Sequence, residues 1–359
     1  MAQNSVLPIK SVGKFLGFLP FILFVTSSFS QTPTPTPNIR EEVVITANRT
    51  ETRLEETPAS IVTLSNQEVK SNASPVIDDV LRQTVGFSLF RRSNSRNANP
   101  TTQGASFRGV GSSGASRSLV LLEGVPLNDS FGGWILWNRM PTIAIERVEV
   151  LRGGASSLYG SSALSGTINV IPRKSAEKFT FSAEVFGGTQ NTLSGATFFG
   201  FKQKDWTLDF VASNFQTKGY KIIDEAQRGS ADQFAGSKNS NFSGRIARDF
   251  KTLGEIFIKP SYFGEVRSNG TGLQTNRTHL RQFVIGGNKI FSNQQSAIRN
   301  PQLRWLFYGG TQVYDQIFST VSADRNSESL NRIQRVPSQN FGFSSQFSTT
   351  FKNQTFLIG

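Results

Sequence analysis

The segment AIERVEVLRGGASSLYGSSALSGTINVI, residues 144–171, decides the fold of this chain. Residues 147–151 alternate apolar and charged side chains, which predicts a strand. A glycine pair at 153–154 and a Leu-Tyr-Gly at 158–160 follow this strand. They lack the Lys-Ser/Thr pair of a phosphate-binding loop. This segment therefore predicts a strand followed by a glycine-containing turn without nucleotide chemistry.

The surrounding residues 54–178 predict a compact α+β unit. Residues 60–64 read as a strand, and Ser65 can cap the helical turn after it because Glu68 stands at the capping-box spacing. The next turn, residues 75–81, is amphipathic, and its apolar side chains share one face: Val76, Ile77, Val80 and Leu81. Further short strands are predicted at residues 106–108 and 118–122. In this interpretation Asp78 and Asp79 are ordinary solvated charges at the start of a helix.

Gly109 to Gly114, GVGSSG, matches the G-x-G-x-x-G pattern of dinucleotide-binding sites. That site needs a helix that begins on the last glycine, so that its N-terminus can hold the pyrophosphate. Here the glycines lead into the strand LVLLEGV instead. We therefore predict a flexible loop and no NAD or FAD.

Composition excludes several classes of protein. The chain has no Cys and a single His, His279, so thiolate zinc sites, iron–sulfur clusters and multi-His metal sites are excluded, and we expect no enzyme, cofactor or metal. The formal net charge is +13, but the basic residues are dispersed and no basic run is longer than the two residues of Arg91-Arg92. This distribution does not fit nucleic acid, and it favours a mildly cationic surface facing anionic lipid or an anionic ligand.

The N-terminus predicts export. Lys10 and Lys14 precede an apolar stretch at 15–25, and small residues end at Ser30, which indicates a cleaved signal peptide over 1–30. The alternative, a membrane anchor, would need roughly 20 apolar residues. Residues 31–53 begin with QTPTPTP, which predicts a stiff extended spacer.

The β-branched run EEVVITANR follows the spacer directly. It has no strand partner in its own neighbourhood of the sequence, so it is suited to adding itself to the sheet edge of another protein. It could equally be the first strand of the domain that follows. The residues alone leave both interpretations open.

From Phe179 to Gly359 the pattern changes, and 22 of the 31 Phe residues lie there. Apolar and polar side chains alternate in segments of about ten residues, as in transmembrane β-barrels. A soluble sandwich is the alternative, and the export signal and the Gly-rich loops favour the barrel. We count about nine or ten candidate strands, whereas plugged barrels need about 22. We therefore expect the N-terminal part of a longer barrel protein.

Over about residues 42–174 the chain resembles the plug of TonB-dependent outer-membrane receptors. Six elements carry this resemblance, in this order: EEVVITANR, PASIVTLSNQEV, DDVLRQTVGF, FRGVG, LVLLEGVPLND and the segment at 144–171. The opening VVITANR and its spacing to DVLR resemble cobalamin and siderophore receptors most. The resemblance implies an α+β plug at 54–178 followed by an antiparallel transmembrane β-barrel from 179. It also implies that residues 42–47 are the TonB box, and so favours strand addition over the alternative.

The resemblance further implies a function and its residues. The protein would import a scarce ligand, a ferric siderophore or cobalamin, across the outer membrane, gated by TonB pairing with Glu42, Val43, Val44, Ile45, Thr46 and Ala47. Apical loops would bind the ligand: Arg91, Arg92 and Arg96 suit an anionic ferric chelate, and Phe131, Trp134 and Trp137 a flat or apolar surface. The alternative for these aromatic residues is packing against the barrel wall. Glu146 and Arg152, which resemble the family's recurring acid and base, are expected with Glu149 to form ion pairs that hold the plug in the lumen. The alternatives to import are a passive porin or adhesin-type barrel, or a non-functional fragment of a receptor.

Overall fold

The computed structural model describes residues 43–44, 49, 52–72, 74, 76–91, 93–111, 113–291, 298–351 and 354–359, and these fall in one compact unit. The predicted signal peptide and Pro-rich spacer lie outside the described residues. So do Glu42, Ile45, Thr46, Ala47 and Arg92 among the predicted site residues.

The first domain is an α+β domain. Its strands are β1 (Val43–Val44), β2 (Thr52–Arg53), β3 (Ile61–Ser65), β4 (Phe87–Leu89), β5 (Ala105–Phe107), β6 (Ser118–Leu122), β7 (Val125–Pro126), β8 (Ile145–Arg152) and β9 (Gly166–Pro172). Its α-helices are α1 (Asn66–Ser71), α2 (Ile77–Leu81) and α3 (Ser156–Tyr159), with 3-10 turns at Leu54–Glu56, Pro100–Thr102, Trp137–Arg139 and Thr142–Ala144. Five strands form a mixed sheet in the order β3-β8-β9-β6-β7, in which β6 and β9 are parallel. Two antiparallel pairs, β1-β2 and β4-β5, stand beside it.

Local chemistry places the helices where the sequence predicted them. The side chain of Ser65 accepts a hydrogen bond from the backbone of Glu68, whose carboxylate accepts one in return from the backbone of Ser65, so the capping box is confirmed. The four apolar residues of the amphipathic turn at α2 are all buried. Gly109 lies in a turn with φ +68°, and the described residues between β5 and β6 form no helix, as the prediction of a loop requires.

The core of this domain lies between the mixed sheet and the helices. Val148 and Val150 of β8 and Ile168 and Val170 of β9 are completely buried, and α2 packs on the same cluster. The segment at 144–171 therefore supplies the two central strands, because its β-branched side chains are covered in the core.

The second domain is an antiparallel sheet of nine strands, counted over the residues that the structure describes. The strands pair in chain order: β10 (Phe179–Gly188), β11 (Thr192–Gln203), β12 (Trp206–Tyr220), β13 (Ala235–Phe250), β14 (Gly254–Ser268), β15 (Thr275–Ile290), β16 (Ile298–Val321), β17 (Glu328–Phe351) and β18 (Gln354–Ile358). β10 and β18 are the edges, so the predicted antiparallel architecture and the strand number are confirmed.

The two faces of this sheet differ. In β15, Asn276, Thr278 and Leu280 are buried against the first domain, whereas Arg277 and His279 point away from it and are exposed. The first domain therefore covers one face, here called the inner face, and the outer face is free of it.

The connections distinguish the two ends of the sheet. The turns 204–205 and 251–253 define one end, here called the short-turn end, and the loops 221–234, 269–274 and 322–327 define the long-loop end. A 3-10 turn, Glu225–Gln227, lies in the first of these loops. No helix in the described part of the chain is long and apolar enough to cross a membrane.

Candidate functional site: the plug and its contacts with the sheet

The loop at 91–103 lies against the long-loop end of the sheet. Asn97 donates a hydrogen bond from Nδ2 to the carbonyl of Ala235 at 2.6 Å, at the start of β13. Arg267 of β14 donates from Nη1 to the carbonyl of Ala98 at 2.7 Å. Since Ala235 and Arg267 stand at the long-loop ends of their strands, these bonds fix the loop at that end.

Arg96 of this loop lies on an aromatic platform that two residues of the sheet form, Phe215 of β12 and Phe186 of β10. Its guanidinium carbon lies 4.6 Å from the ring centre of Phe215 and 5.7 Å from that of Phe186. Burial lowers the pKa of Arg96, although Asp79 and Asp78 oppose the shift. A planar cation on an aromatic face keeps the edges of the guanidinium for hydrogen bonds to an anion.

Arg91 lies inside the first domain instead of at its surface. It is buried and forms an ion pair through Nη2 with Oδ2 of Asp78, which is itself completely buried and accepts a further bond from Ser95 at 2.8 Å. Burial raises the pKa of Asp78, and the charge of Arg91 opposes the rise. The interpretation of Asp78 as a solvated helix-start charge is therefore wrong. The side chain of Arg91 is committed to this pair and is not presented to a ligand.

The three predicted aromatic residues occupy different environments. Phe131 is half exposed, with its ring edge-to-face on Trp134 at 5.9 Å. Trp134 is buried against the sheet, among Phe263, Leu280 and Tyr314, which is the wall packing that the sequence left open. Trp137 is completely buried in the core of the first domain and donates from Nε1 to the carbonyl of Gln103 at 3.3 Å. Only Phe131 of the three presents a large exposed ring.

Asp129 shapes the turn that carries Phe131. Its Oδ1 accepts the backbone N–H groups of Phe131 at 2.9 Å and Gly132 at 2.7 Å, while Oδ2 accepts the side-chain amide of Gln312 in β16. A side chain at Gly132 would overlap the ring of Trp134, so glycine is required there. This turn is thereby tied directly to the sheet.

The described contacts of the residues predicted to form plug–barrel ion pairs lie within the first domain. Glu149 is buried and pairs with Arg147 of its own strand at 2.9 Å. Arg152 donates from Nη2 to Oγ of Ser60 at 2.8 Å, also within the first domain, and Glu146 is exposed. The partners that the structure describes for Glu149 and Arg152 are therefore a residue of β8 itself and a residue just before β3.

A different acid, Glu123, makes the ion pairs with the sheet. It lies in the tight turn between β6 and β7, at φ +55°. Its Oε2 is 3.2 Å from Nζ of Lys259 in β14, and its Oε1 is 3.1 Å from Nζ of Lys174 and 4.0 Å from Nε of Arg245 in β13. Burial alone would raise the pKa of Glu123, but Lys259, Lys174 and Arg245 outweigh it and lower the pKa to about 2. The one signal in the sequence is an acid placed in a two-residue turn after a fully apolar strand, LVLLEG.

In most other polar contacts between the two domains, at least one of the two groups is uncharged. Arg139 donates from Nη2 to Oε1 of Gln282 in β15 at 2.9 Å, and its carbonyl accepts from Asn241 of β13 at 3.1 Å. Asn138 donates to Glu265 of β14 at 2.9 Å. Burial lowers the pKa of Arg139 to about 10. Amides and carbonyls therefore form a large part of this interface.

The strand predicted as the TonB box has a partner within the chain. Val43 and Val44 pair antiparallel with Arg53 and Thr52, and Val44 is completely buried. The expectation that this run lacks a neighbouring partner is therefore wrong for its described residues. Arg49, which follows this strand, stacks on the ring of Tyr159 with 4.6 Å between guanidinium carbon and ring centre.

A cavity of about 650 Å³ separates this part of the first domain from the sheet. It is lined by Arg49, Tyr159 and Glu123 on one side and by Glu255 and Asn288 on the other. Glu255 and Asn288 lie near the short-turn end of β14 and β15. The segment that contains Arg49 therefore lies toward the short-turn end, opposite the loop that contains Arg96.

The long loops of the sheet are joined to each other. Arg325 in the loop 322–327 forms a bidentate ion pair with Asp232 in the loop 221–234, with contacts from 2.6 to 3.0 Å. Thr271 of the loop 269–274 donates to Oε1 of Glu328. Three loops thus form one connected group at the long-loop end of the sheet. The described residues contain no group of three or more His, Asp or Glu side chains that could hold a metal ion.

An α+β domain packed on the inner face of an antiparallel sheet, whose outer face exposes aromatic and aliphatic side chains, defines a plugged barrel protein of the outer-membrane type. Residues 53–167 match the TonB-dependent Receptor Plug Domain family. The chain is therefore similar to the TonB-dependent receptors, a family of transporters and receptors that are not enzymes.

Relatives of this chain include two proteins of Vibrio species. The Vitamin B12 transporter BtuB of Vibrio vulnificus is 38% identical over 135 residues, which is 38% of this chain and 21% of that protein. The iron-regulated outer membrane virulence protein of Vibrio cholerae is 25% identical over 328 residues, 87% of this chain and 47% of that protein. The chain therefore spans less than half the length of these relatives.

Solved structures show the same fold. The pyoverdine outer membrane receptor FpvA of Pseudomonas aeruginosa superposes with a TM-score of 0.60 at 17% identity, over 86% of this chain and 45% of that one. The siderophore receptor PirA of Acinetobacter baumannii gives a TM-score of 0.54 at 16% identity, over 80% of this chain and 44% of that one.

Proposed function

We propose that this protein imports a scarce ligand of the ferric siderophore or cobalamin class across the outer membrane, driven by TonB. One observation carries the proposal: the plug has Arg96 and Phe131 toward the long-loop end, whereas Arg49 beside the β1 strand lies toward the short-turn end. In this orientation the long loops face the outside, and the short turns and the TonB box face the periplasm after export by the signal peptide.

The ligand site that the geometry supports is smaller than the sequence predicted. Arg96 and Phe131 are the predicted residues with suitable surroundings, and the connected loops at 221–234, 269–274 and 322–327 would cover a ligand bound there. A guanidinium on an aromatic platform favours an anionic chelate. The relatives include both a vitamin B12 transporter and siderophore receptors, so growth under iron limitation and under cobalamin limitation distinguishes the two ligand classes.

Energy coupling would act on residues 42–47. The β1 strand is paired with Thr52 and Arg53, so TonB would have to replace this pairing by its own strand. Pulling on β1 would then draw on the plug, which is fixed to the sheet by Glu123 and by hydrogen bonds such as that from Arg139 to Gln282.

The test is uptake by a Val44→Pro variant. Proline removes a backbone donor and cannot pair in the added strand, so uptake should be lost while surface binding of the ligand stays at the parental level. Val44→Ala is the matched control, because it loses the buried side chain but keeps the N–H. Transport by Val44→Pro equal to that of the parent would contradict the assignment of the TonB box.

A further inference from the structure

The outer face of the sheet has a group of basic side chains near the long-loop end. Five basic side chains are exposed on this face: Lys238 of β13, Arg277, His279 and Arg281 of β15, and Arg335 of β17. We call these five residues the outer basic patch. The sequence contains no other histidine than the one in this patch.

Strand register brings these side chains together. Val266 pairs with Lys238 on one side and with Arg277 on the other, so one residue separates the two cations across the sheet. Asp315 pairs with Arg277 and contacts Arg335 at 3.7 Å, and it is the acid on this face next to the patch. In the described part of the chain, Arg277 and Arg281 have no ion-pair or side-chain hydrogen-bond partner. The patch therefore keeps an excess of positive charge.

An aromatic groove of about 730 Å³ begins directly below the patch, with Arg281 at its rim. Its walls are Phe242 stacked on Tyr262 at 6.4 Å and Phe283 against Phe307 at 5.7 Å. Tyr262 is hydrogen-bonded to His279 of the patch, 3.1 Å between Oη and Nδ1. The ring of Phe283 lies directly over Gly309, where an added Cβ would meet it at 2.8 Å.

The spacing of charges along the outer face places the patch at a membrane boundary. On β13, Ser240, Phe242, Gly244 and Ile246 point outward between Lys238 and Arg248. At roughly 3.4 Å per residue, Lys238 and Arg248 are about 34 Å apart along the strand, and a tilt of about 40° reduces this to about 26 Å across the membrane. The apolar band of such barrels is about 25 Å tall. Lys238 and Arg277 beside it thus stand at the level of the lipid headgroups, and the groove stands at the level of the acyl chains.

From this geometry we propose that the outer basic patch binds the phosphate of an anionic lipid, and that the groove below it holds one acyl chain of the same molecule. Unpaired guanidinium groups at the headgroup level lower their free energy by charge-assisted hydrogen bonds to phosphate. Arg281 joins the two parts of the site, since it belongs to the patch and borders the groove. The proposal rests on the outer-membrane location and is independent of the transported ligand.

The experiment measures lipid binding to the delipidated protein in a neutral detergent by native mass spectrometry. Phosphatidic acid should bind at least tenfold more tightly than phosphatidylcholine with the same acyl chains. The Arg277→Gln/Arg281→Gln double variant should lose at least tenfold of the affinity for phosphatidic acid. Both residues face away from the plug, so heat-modifiability of the barrel should stay as in the parent. Arg248→Gln, a change of one outward cation at the other boundary, is the matched control and should bind as the parent does.

Each other outcome contradicts a part of the proposal. Equal binding of the two lipids, or equal loss in Arg248→Gln and in the double variant, would show only general charge attraction. Binding of glycerol 3-phosphate as tight as that of phosphatidic acid would show that a free phosphate is the ligand and that the groove holds no acyl chain.

Discussion

Glu123 of the plug and Lys259 of β14 face each other across the interface of the two domains, with 3.2 Å between Oε2 and Nζ. Lys259 is 12% exposed and Glu123 16% exposed, so the pair is shielded from most of the solvent. Removing one member of such a pair leaves the other charge buried without compensation, and that is costly.

We predict that Glu123→Gln loosens the plug. Lys259 would lose its carboxylate, whereas Arg245 would keep Glu255 at 2.6 Å. The permeability of the outer membrane to a dye or a large antibiotic should rise several-fold at equal expression. Glu146→Gln, a change of an exposed acid in the same domain, is the control and should leave permeability unchanged. If both variants are as tight as the parent, the pair does not hold the plug.

The same carboxylate predicts a pH dependence. The pKa of Glu123 is about 2 against an ordinary 4.5, so its contribution to plug attachment, about 3 kcal/mol, is fully present above pH 4.5 and is lost as the pH falls toward 2. The measurement is the urea midpoint of plug release, detected by protease sensitivity, at pH 7, 4.5 and 3. The difference in midpoint between the parent and Glu123→Gln should be constant from pH 7 to 4.5 and smaller at pH 3. A difference that changes between pH 7 and 5.5 would point to another group.

The buried pair of Asp78 and Arg91 should matter for the stability of the plug. Asp78→Asn leaves the Arg91 guanidinium buried without its counter-charge, and such changes cost about 3–5 kcal/mol. Asp79→Asn is the control: its ion-pair partner Arg82 is 41% exposed, so the pair contributes about 0–1 kcal/mol, and the amide oxygen of Asn can still accept the hydrogen bonds from Ser74 and Asn94. The urea concentration at which the plug becomes sensitive to protease should be lower for Asp78→Asn than for Asp79→Asn. Equal midpoints would show that Arg91 finds another partner.

Arg96 should contribute to ligand binding without a role in folding. Arg96→Ala should weaken binding of an anionic ligand at least tenfold, because it removes the cation above Phe215. Arg96→Lys should recover only part of the affinity, since an ammonium group does not stack as a guanidinium does. Equilibrium binding to whole cells measures this independently of transport. Unchanged binding in Arg96→Ala would exclude the residue from the ligand site.

The contact between Asp232 and Arg325 should hold the long loops together. The hydrogen bonds from Arg325 lower the pKa of Asp232 to about 2, so the contact is present at neutral pH and is lost as the pH falls toward 2. Asp232→Asn should increase hydrogen exchange in loops 221–234 and 322–327 at pH 7. Asp324→Asn, in the same loop as Arg325, is the control, and equal exchange in the two variants would contradict a specific role for Asp232.

Local patterns predicted the elements better than they predicted the site. The capping box at Ser65 and Glu68 and the apolar face of α2 depend on neighbouring residues, and both are confirmed. The described partners of Glu149 and Arg152 lie within the first domain, on the same strand for Glu149 and 92 residues away for Arg152, and the sequence predicted neither. Arg91 was predicted to bind the ligand, but it is buried in an ion pair with Asp78. The sequence did not indicate this pair, because the two residues come together only in the folded domain. Lys259, which pairs with Glu123, is far away in the sequence, and no periodicity connects the two.

The amide side chains that the sheet offers to the plug have a mechanical consequence. Gln282, Gln312 and Asn241 offer the plug hydrogen bonds that water can replace one by one as the plug moves. Each such exchange involves a hydrogen bond worth about 0.5–3 kcal/mol, so apart from the Glu123–Lys259 ion pair a pull meets several small barriers. The wall then behaves as a surface of low friction, on which the plug can slide out and return while the strands stay in place.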